Sequence, residues 1–513
     1  MPLLNFRDVI DKPEWRILAV SPNASAAGSC IISDLRNSED RHPTLFQLVS
    51  TSVLNQYHMK NDGWSLCINP GLTGTFGAGA CGVMAPCRGP RGTLADGCST
   101  TKIILSTALP ATVGVNQLAG RGDSRGFKIR IMDNVVGGTG KTEERLIVSN
   151  SAGTTPTLYL DSALSFTPSL GASYEFLSGR VYMLSAGTMA AGCWKYFDIL
   201  TNSLSSNLSI TNLPASIRTD SVAVCLDETY IPCDAEISTG FFEQCAITDS
   251  ASTSLTITCP QTMLASELVG LQVRIIQDTT NPTSVGQRRK ITASTAGSSV
   301  ILTIAAWTTI PSAGAICVLE NNNDIVLFTS ASSTVYCYNQ EANTWATDTY
   351  TARGAAVATG LMAFQPFGIA KSIYNNDPDK NFRYTTIHTF SGGGATTLSI
   401  LNLHTNTWEN AVAYGSGPTF TTGSSLIYDG VSTIGKGRFA YINKDGTQVF
   451  QRYNAFSRQM NEWTYLRYTQ STAVVGSKFG LCSYFDTIDN SSITFPTIIR
   501  SSGTEFFDIM AQR

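Results

Sequence analysis

The sequence has few charged residues and no concentration of either sign. Charged side chains make up 14% of its 513 residues, whereas they make up about 25% of an average soluble domain. The net charge is −3, and no run of Lys or Arg is long enough to follow a nucleic-acid backbone. The sequence therefore does not predict stable binding to DNA or RNA.

Long apolar segments are also missing. Each apolar run is short and is interrupted by Ser, Thr or a charged residue, so none predicts a membrane-spanning segment. Residues 1–8 lack the basic start and the apolar centre of a signal peptide. We therefore predict a soluble protein that is made in the cytosol.

The residues that catalysis and metal binding require are scattered. The four histidines are far apart in the sequence, and none has a second ligand at the spacing of a metal site. The 13 cysteines include one local group, Cys81, Cys87 and Cys98, which lacks the close Cys pair of a zinc site. Reduced, mostly buried thiols are predicted. We predict no catalytic residue, no cofactor and no metal.

One glycine-rich segment, residues 137–142, is similar to a phosphate-binding loop. The first glycine of that motif is missing, because Val135 stands at its position, and no helix signal follows. Alternating apolar residues flank the segment on both sides, which is typical of two strands joined by a turn. We interpret the segment as a hairpin loop.

Glycine, Ser, Thr and Asn are abundant and alternate with Val, Ile, Leu and Tyr, a mixture that favours strands and tight turns. Four segments share one pattern, a strand that ends in Asp or Asn, a polar turn and a large apolar residue. They span residues 197–204, 338–345, 401–408 and 453–463. The repeated turn asparagines are Asn202, Asn343, Asn406 and Asn461, and the repeated large residues are Leu204, Trp345, Trp408 and Trp463. Each segment predicts a β-hairpin.

This pattern resembles the kelch repeat, in which Tyr-Asp-x-x-x-Asn-x-Trp lies between the third and fourth strands of a propeller blade. The resemblance implies a kelch-like β-propeller, although the Gly-Gly pair of a kelch blade is not repeated here. Trp345 and Trp408 are 63 residues apart, and Trp408 and Trp463 are 55 apart, about one blade in each case. The intervals from Trp64 to Leu204 and from Leu204 to Trp345 are 140 and 141 residues. Each long interval therefore indicates an insertion of roughly 75 to 85 residues.

The two insertions are similar to each other. Residues 126–131 and 270–275 share a Gly-x-x-x-Arg-Ile pattern and lie 144 residues apart. The next matching segments begin at Arg145 and Arg289, again 144 residues apart. We predict two homologous small β-domains that were duplicated together with their blades. Arg145 and Arg289 are candidates for a contact between subunits, and the alternative is a salt bridge within each insert.

The predicted fold is all-β, a kelch-like β-propeller of about six blades, with five to seven possible, that carries two homologous inserted β-domains. An N-terminal strand near residues 16–20 is expected to close the ring by pairing with the last blade. The expected domains are an N-terminal segment with the first blade (1–99), the first insert (100–178), propeller blades (179–245), the second insert (246–318) and the remaining blades (319–513).

A propeller with inserted β-domains resembles the tail nozzle (tail tube) proteins of short-tailed bacteriophages, and the insert pattern resembles modules of phage virion proteins. This resemblance implies a structural component of the virion tail that is synthesised in the host cytoplasm. It also implies a self-assembled ring, expected to be a hexamer, that docks adaptor and fibre proteins and takes part in DNA ejection. DNA would pass without sequence-specific binding, which a net charge of −3 suits.

Other functions stay open. A host-receptor-binding tail protein would need a trimeric stalk, for which heptad repeats are absent. A kelch-type carbohydrate-binding protein or enzyme would need a metal or a carboxylate cluster on one propeller face. A cellular kelch adaptor would normally carry a helical partner domain, for which the sequence leaves no room.

Overall fold

The structure is a computed structural model. It describes residues 14–25, 28–33, 44–58, 62–119, 126–226, 244–322, 324–356, 358–365, 386–403, 405–414, 419–422, 424–429, 439–443, 449–455, 457–465, 478–486, 491–499 and 506–510. These residues form β-strands and loops, with a 3-10 turn at Pro282–Ser284 and no α-helix. The all-β prediction is therefore confirmed. Among the same residues, no helix has the length and apolar character needed to cross a bilayer.

The N-terminal part of the chain forms one complete sheet and then the first insert. After β1 (Glu14–Leu18), sheet 1 consists of β2 (Cys30–Ser33), β3 (Thr44–Ser50), β4 (Val53–His58) and β5 (Gly63–Ile68). Strand β6 (Cys81–Ala85) then precedes the strands of insert 1, which are β7 (Arg91–Thr93), β8 (Lys102–Ile104), β9 (Lys128–Met132), β10 (Thr142–Asn150), β11 (Thr157–Leu160) and β12 (Ser173–Leu177).

The chain then completes sheet 2 and begins sheet 3. It continues through β13 (Arg180–Leu184), β14 (Gly187–Thr188), β15 (Trp194–Asp198), β16 (Ser203–Leu204) and β17 (Ser216–Ile217). Sheet 2 is formed by β6, β13, β15 and β16, and β14 pairs with β17. Strand β18 (Val222–Cys225) precedes the strands of insert 2, which are β19 (Gln244–Ala251), β20 (Ser254–Met263), β21 (Leu271–Gln277), β22 (Arg288–Ser294), β23 (Gly297–Ile304) and β24 (Ile316–Asn321).

The C-terminal part forms the rest of the sheets. Sheet 3 joins β18 to β25 (Asp324–Phe328), β26 (Tyr336–Asn339) and β27 (Thr344–Ala346). Sheet 4 contains β28 (Met362–Phe364), β29 (Thr386–Phe390), β30 (Thr397–Asn402) and β31 (Thr407–Ala413). Sheet 5 contains β32 (Ser425–Asp429), β33 (Phe439–Asn443), β34 (Val449–Asn454) and β35 (Gln459–Tyr465). Sheet 6 contains β36 (Lys478–Asp486), β37 (Ser491–Ile499), β38 (Phe506–Met510) and β1.

The six four-stranded sheets follow one another in a closed series. The first strand of each sheet contacts the first strand of the next, in the order β2, β6, β18, β28, β32 and β36, and β36 contacts β2 again. Strand β1 pairs antiparallel with β38, so the two ends of the chain meet in sheet 6 as the sequence predicts. A closed series of sheets leaves few exposed edges and is a propeller-like arrangement.

Sheet 3 is buried on both faces at its second strand, because the sheet has a neighbouring sheet on each side. Strand β25 illustrates this, since all five of its residues are buried. Ile325 and Leu327 belong to the apolar core shared with sheet 2, whereas Val326 and Phe328 belong to the core shared with sheet 4. Alternate side chains of a strand point to opposite faces, so one apolar strand serves two interfaces.

The two inserts have the same strand order and the same register. Insert 2 is a closed barrel in the order β19, β20, β23, β22, β21 and β24. Insert 1 has the corresponding order, and a backbone bridge between Leu94 and Leu105 joins its two edges. Ile129 lies opposite Arg145, just as Val273 lies opposite Arg289. The 144-residue offset in the sequence is therefore matched strand by strand in the structure.

The inserts are larger than the sequence indicates. Strand β7 belongs to the sheet of insert 1, although it precedes the expected boundary at residue 100. Strand β19 begins at Gln244 and β24 ends at Asn321, outside the expected limits of 246 and 318. Strand β7 consists of Arg91, Gly92 and Thr93, which is too short to produce an apolar alternation, so its pairing is visible only in three dimensions.

The repeated hairpins lie between the third and fourth strands of their sheets. Their turns place Asn202, Asn343 and Asn406 in the left-handed region, at φ 50°, 51° and 52°. Asn is one of the few residues that tolerates this conformation. The turn of sheet 1 does the same with Asp62, at φ 41°.

The turn of sheet 5 differs from the prediction. Asn454 pairs with Gln459 across this turn, and Arg458 occupies the left-handed position, at φ 56°. Asn461, predicted at that position, lies within β35 opposite Arg452. Trp463, predicted as the large residue after the turn, lies farther along β35, and Met460 takes the place that Trp345 has in sheet 3. The Asn-x-Trp motif at 461–463 therefore matches the repeat in composition, but it lies three residues after the turn position that the repeat occupies in the other sheets.

In three sheets, an Asx side chain and a Trp side chain each form a hydrogen bond to the backbone of one residue in the segment that leads into the sheet. In sheet 3, the Ser209 N–H donates to Asn343 Oδ1 (2.9 Å), and Trp345 Nε1 donates to the Ser209 carbonyl (3.0 Å). Two other sheets repeat both hydrogen bonds. In sheet 1, the backbone of Ala19 is bonded to the side chains of Asp62 and Trp64. In sheet 4, the backbone of Thr351 is bonded to the side chains of Asn406 and Trp408. The repeated turn motif therefore anchors the segments that enter three of the sheets.

We expect Asn343→Ala to lower the free energy of unfolding by about 2 kcal/mol, because it removes the bond to Ser209 and leaves Ala in a left-handed turn. Asn202→Ala is the matched control. Asn202 has the same backbone conformation but makes no side-chain hydrogen bond to the described residues, so the loss should be about 1 kcal/mol. Urea denaturation of both variants gives the difference, and equal losses would contradict an energetic role for the hydrogen bond to Ser209.

Candidate functional site

The two inserts are joined to each other as well as to the propeller. Both leave from the ends of first strands in adjacent sheets, insert 1 after β6 and insert 2 after β18. A backbone bridge links Lys141 to Gln277, and the Asp278 N–H donates to the Gly140 carbonyl (2.7 Å). Met132 of insert 1 packs into the apolar core of insert 2. The inserts therefore form one body on one face of the propeller.

The position of Gly140 explains why the segment at 137–142 contains glycine. The segment is the hairpin loop between β9 and β10, as interpreted from the sequence. A Cβ atom at Gly140 would lie 1.8 Å from the Asp278 carbonyl oxygen, and its φ is +64°. Only glycine satisfies both conditions, so this segment serves the close approach of the two inserts.

A buried arginine–glutamate cluster lies between the inserts and sheet 3. It consists of five arginines and four glutamates, Arg88, Arg91, Arg130, Arg274, Arg288, Glu144, Glu175, Glu320 and Glu341. At its centre, Glu175 is fully buried and accepts from Arg91 Nη2 (2.6 Å), Arg130 Nη1 (2.9 Å) and Arg288 Nη2 (2.8 Å). Arg91 and Arg130 belong to insert 1 and Arg288 to insert 2, so one carboxylate joins both.

Glu341 connects this cluster to the propeller. It lies in the turn of sheet 3 between β26 and β27, and it accepts from Arg88 Nη1 (2.6 Å) and Arg91 Nη1 (2.6 Å). The sequence separations are 253 and 250 residues. The turn that carries the repeat motif is thus also a docking point for the inserts.

Within the cluster, the two inserts carry opposite charges at one equal position. Glu144 of insert 1 and Arg288 of insert 2 are 144 residues apart and occupy equal positions. Burial would raise the pKa of Glu144, but the charges of Arg130 and Arg274 and a hydrogen bond from Arg130 hold it below its usual range. Glu144 is thus influenced by Arg274 of insert 2, and Arg288 pairs with Glu175 of insert 1, so opposite charges at equal positions serve the contact between the two inserts.

The carboxylates of Glu175 and Glu341 are each held by several guanidinium groups. Glu175 and Glu341 each accept short bonds from two or more guanidinium groups, and charge pairs of this kind keep a carboxylate ionised. In the described ranges, no group of three or more His, Cys, Asp or Glu residues has the geometry to hold a metal ion. Eleven cysteines of those ranges are free thiols.

The acid stability of the cluster can be tested at Glu341. Burial would raise its pKa, but the hydrogen bond from Arg91 and the charges of Arg88, Arg91 and Arg288 lower it from 4.5 to about 2. A carboxylate with a lowered pKa stabilises the fold above its unfolded pKa, and this contribution disappears as the pH falls from 4.5 towards 2.

We therefore expect Glu341→Gln to cost about 1 kcal/mol at neutral pH, because solvent screens a partly exposed group, and to flatten the loss of stability in acid. Urea midpoints measured between pH 7 and pH 2 check both effects. If the urea midpoint of the variant falls as steeply in acid as that of the wild type, Glu341 is not a source of the pH dependence.

Arg145 and Arg289 are used within their own inserts. Arg145 pairs with Glu143, and its Nη2 donates to the Ala163 carbonyl (2.9 Å). Arg289 Nε donates to the Ala306 carbonyl (2.9 Å) at the matching place, and its guanidinium lies over the Trp307 ring (5.1 Å). Arg145 thus makes the salt bridge within its insert that the sequence left open as an alternative, whereas Arg289 is held within its insert by carbonyl and aromatic contacts. A contact between subunits stays a prediction.

Sequence reasoning missed the cluster as a functional unit. Arg130 and Arg274 were visible as the arginines of the repeated Gly-x-x-x-Arg-Ile pattern, and a buried strand position for an arginine predicts a paired carboxylate. Glu175 and Glu341 had no comparable signal, because their partners come from other strands and from another domain.

Exposed apolar side chains are concentrated on the inserts. Among the residues whose side chains the structure describes, ten large apolar side chains are exposed, and two of them, Val20 and Leu66, lie on or beside sheet 1. The other eight belong to the inserts: Val115, Val136, Val148, Tyr159 and Leu170 of insert 1, and Leu264, Ile301 and Ile310 of insert 2. Val136, at the tip of the β9–β10 loop, is 90% exposed.

Comparison with known proteins identifies no family. No protein-family model and no curated protein matches the chain. Similar solved structures include a chain of the mitotic checkpoint complex (TM-score 0.34, 7% identity, covering 98% of this chain and 92% of that one). They also include U3-55K (0.33, 6%, 97% and 100%) and an auxiliary nutrient binding protein from Bacteroides ovatus (0.25, 8%, 80% and 95%). At these TM-scores, neither the fold nor the function of those proteins transfers to this chain.

Proposed function

We propose that this chain is a non-enzymatic structural protein of a bacteriophage virion, a tail nozzle ring protein built on a six-bladed kelch-like propeller. The observation that carries the proposal is the fusion of two inserts into one body on one propeller face. Ion pairs of Glu341 with Arg88 and Arg91 hold this body to sheet 3, and it carries eight of the ten large apolar side chains that are exposed in the described part of the chain. A rigid projection with an apolar surface is suited to assembly.

The kelch-like part of the proposal is supported by the repeated turns. Three sheets use an Asx residue and a Trp, two positions apart, to hold the segment that enters the blade. Six four-stranded sheets in a closed series correspond to six blades. The proposed docking partners are further copies of this chain and neighbouring tail proteins such as adaptor and fibres, in the virion tail.

The pairing of the inserts within one chain restricts how a ring can form. The β9–β10 loop and the end of β21 already contact each other through Lys141 and Gln277, so these surfaces are unavailable to a second copy. Val136 and Leu170 of insert 1 remain exposed, at 90% and 66%. We therefore place the proposed contact between copies on this side of insert 1.

Mass photometry and electron microscopy of the purified full chain test the proposal. We expect rings of six copies, and we expect the double variant Val136→Asp, Leu170→Asp to remain monomeric while keeping its thermal unfolding midpoint. Leu66→Asp is the matched control, because Leu66 is 65% exposed on sheet 1, and it should still form rings. A wild-type chain that is strictly monomeric and binds glycans in a screen would support the carbohydrate-binding alternative instead.

A further inference from the structure

A cavity of about 490 Å³ lies on the propeller face opposite the inserts. Its walls include Ala78 and Arg218, which precede β6 and β18, and Thr359, which precedes β28. Strands β6 and β18 run from this cavity to the starts of the two inserts. The cavity is therefore separated from the arginine–glutamate cluster by the length of the first strands.

Arg218 is an exposed side chain that gives the cavity a positive charge. It is the one charged side chain among the described residues that line the cavity. Its guanidinium has no hydrogen-bond or ion-pair partner in the part of the chain that the structure describes, whereas the arginines around Glu175 are all paired. The hydroxyl groups of Thr219, Ser330 and Thr359 line the same space, so the walls offer donors around one cation.

The walls of the cavity are held in place before any ligand binds. The Asp220 N–H donates to the Ala78 carbonyl (2.7 Å), and the Gly360 N–H donates to Asp220 Oδ2 (2.8 Å). These two bonds tie together the segments that enter three consecutive sheets. The Asp220 carboxylate therefore contributes to the wall of the cavity through its bond with Gly360.

One wall residue has an unfavourable backbone conformation. Ala331 has φ +57°, a region that alanine adopts at a cost. Such conformations are concentrated at binding sites, where the surrounding structure maintains them. Ala331 lies next to Ser330 in a turn of the cavity wall, so the proposed site includes this unfavourable backbone conformation.

We propose that this cavity binds a carboxylate carried on a small organic body, with Arg218 as the anion-binding residue. The planar guanidinium matches a carboxylate with two parallel hydrogen bonds. A single unpaired cation balances the single charge of a carboxylate better than the nearly double charge of a phosphate. A volume of about 490 Å³ is within the usual range of small-molecule sites. The site is independent of ring formation, because it lies on the other face.

The test uses isothermal titration of the full chain with four probes. These are succinate, the capped peptide acetyl-Ala-Glu-Ala-amide, its neutral Gln counterpart and inorganic phosphate. We expect succinate or the Glu peptide to bind and the Gln peptide and phosphate to bind at least about tenfold more weakly. Binding of succinate alone indicates a free carboxylate as ligand, and binding of the Glu peptide alone indicates an acidic side chain of a partner protein.

Two variants assign the binding to the cavity. Arg218→Ala removes the charge and Thr359→Trp fills the space, and each should weaken binding at least about tenfold. Lys102→Ala removes one positive charge from insert 1 and should leave binding unchanged. The proposal is overturned if no carboxylate binds, if phosphate binds as tightly, or if both cavity variants bind like the wild type. Ring formation should be unaffected in Arg218→Ala, so failure here is distinguishable from failure of the assembly proposal.

Discussion

Replacing Glu175 with glutamine should lower the free energy of unfolding by about 3–5 kcal/mol, because the change leaves buried arginines without their shared carboxylate. Glu175 and Arg130 are both fully buried, and Arg91 and Arg288 also donate to Glu175. The cluster would then hold five arginines against three glutamates. The effect should be largest where the two inserts meet, so hydrogen exchange should accelerate in β12 and β22.

Glu409→Gln is the control for this variant. Glu409 pairs with Arg458 (2.7 Å), but it is 53% exposed, and exposed ion pairs contribute about 0–1 kcal/mol. Urea denaturation of both variants at neutral pH measures the difference. Equal losses would show that the arginine–glutamate cluster does not hold the inserts together, and the assembly proposal would lose its main support.

Replacing Trp194 with alanine should cost about 3–5 kcal/mol, the usual range for a buried Trp. Trp194 is 1% exposed and belongs to sheet 2, where its ring stacks on Tyr182 (5.2 Å). It also contacts two rings of sheet 3, Tyr338 (5.4 Å) and Trp345 (5.4 Å). The loss therefore reports on the interface between two consecutive sheets.

Trp408→Ala provides a matched substitution in sheet 4. Trp408 is half-buried, contacts Phe328 (6.1 Å) and donates to the Thr351 carbonyl (2.8 Å). Because less area is buried, we expect about half the loss of Trp194→Ala. Thermal and urea unfolding of the two variants provide the comparison. A larger loss for Trp408→Ala would mean that the aromatic contacts between sheets 2 and 3 are not the main contribution to that interface.

The repeat was readable from the sequence because it is local. Asn343 and Trp345 are two residues apart, and their turn must adopt a left-handed conformation that few residues tolerate. The same logic failed at 461–463, where an Asn and a Trp occur at the same spacing but three residues beyond the turn. A composition match does not fix register, because register depends on which residues pair across the hairpin.

The candidate site could be predicted only in part. The 144-residue offset identified the duplicated inserts, and Gly137 to Lys141 were recognised as a loop. That this loop would meet the second insert at Asp278 could not be derived, because the contact joins residues of two different domains. The cavity at Arg218 was likewise invisible, since its walls come from segments that enter three sheets.

By itself, the sequence determined the all-β class, the turn chemistry of the blades and the presence of two homologous inserts. These depend on alternation, on local conformational preference and on similarity within the chain, all of which are written in consecutive residues. The tertiary structure decided how the two inserts meet, which charges are buried and which segments bring Arg218 to a cavity wall. Those features depend on residues such as Arg88 and Glu341, 253 positions apart, which only the closed series of sheets brings together.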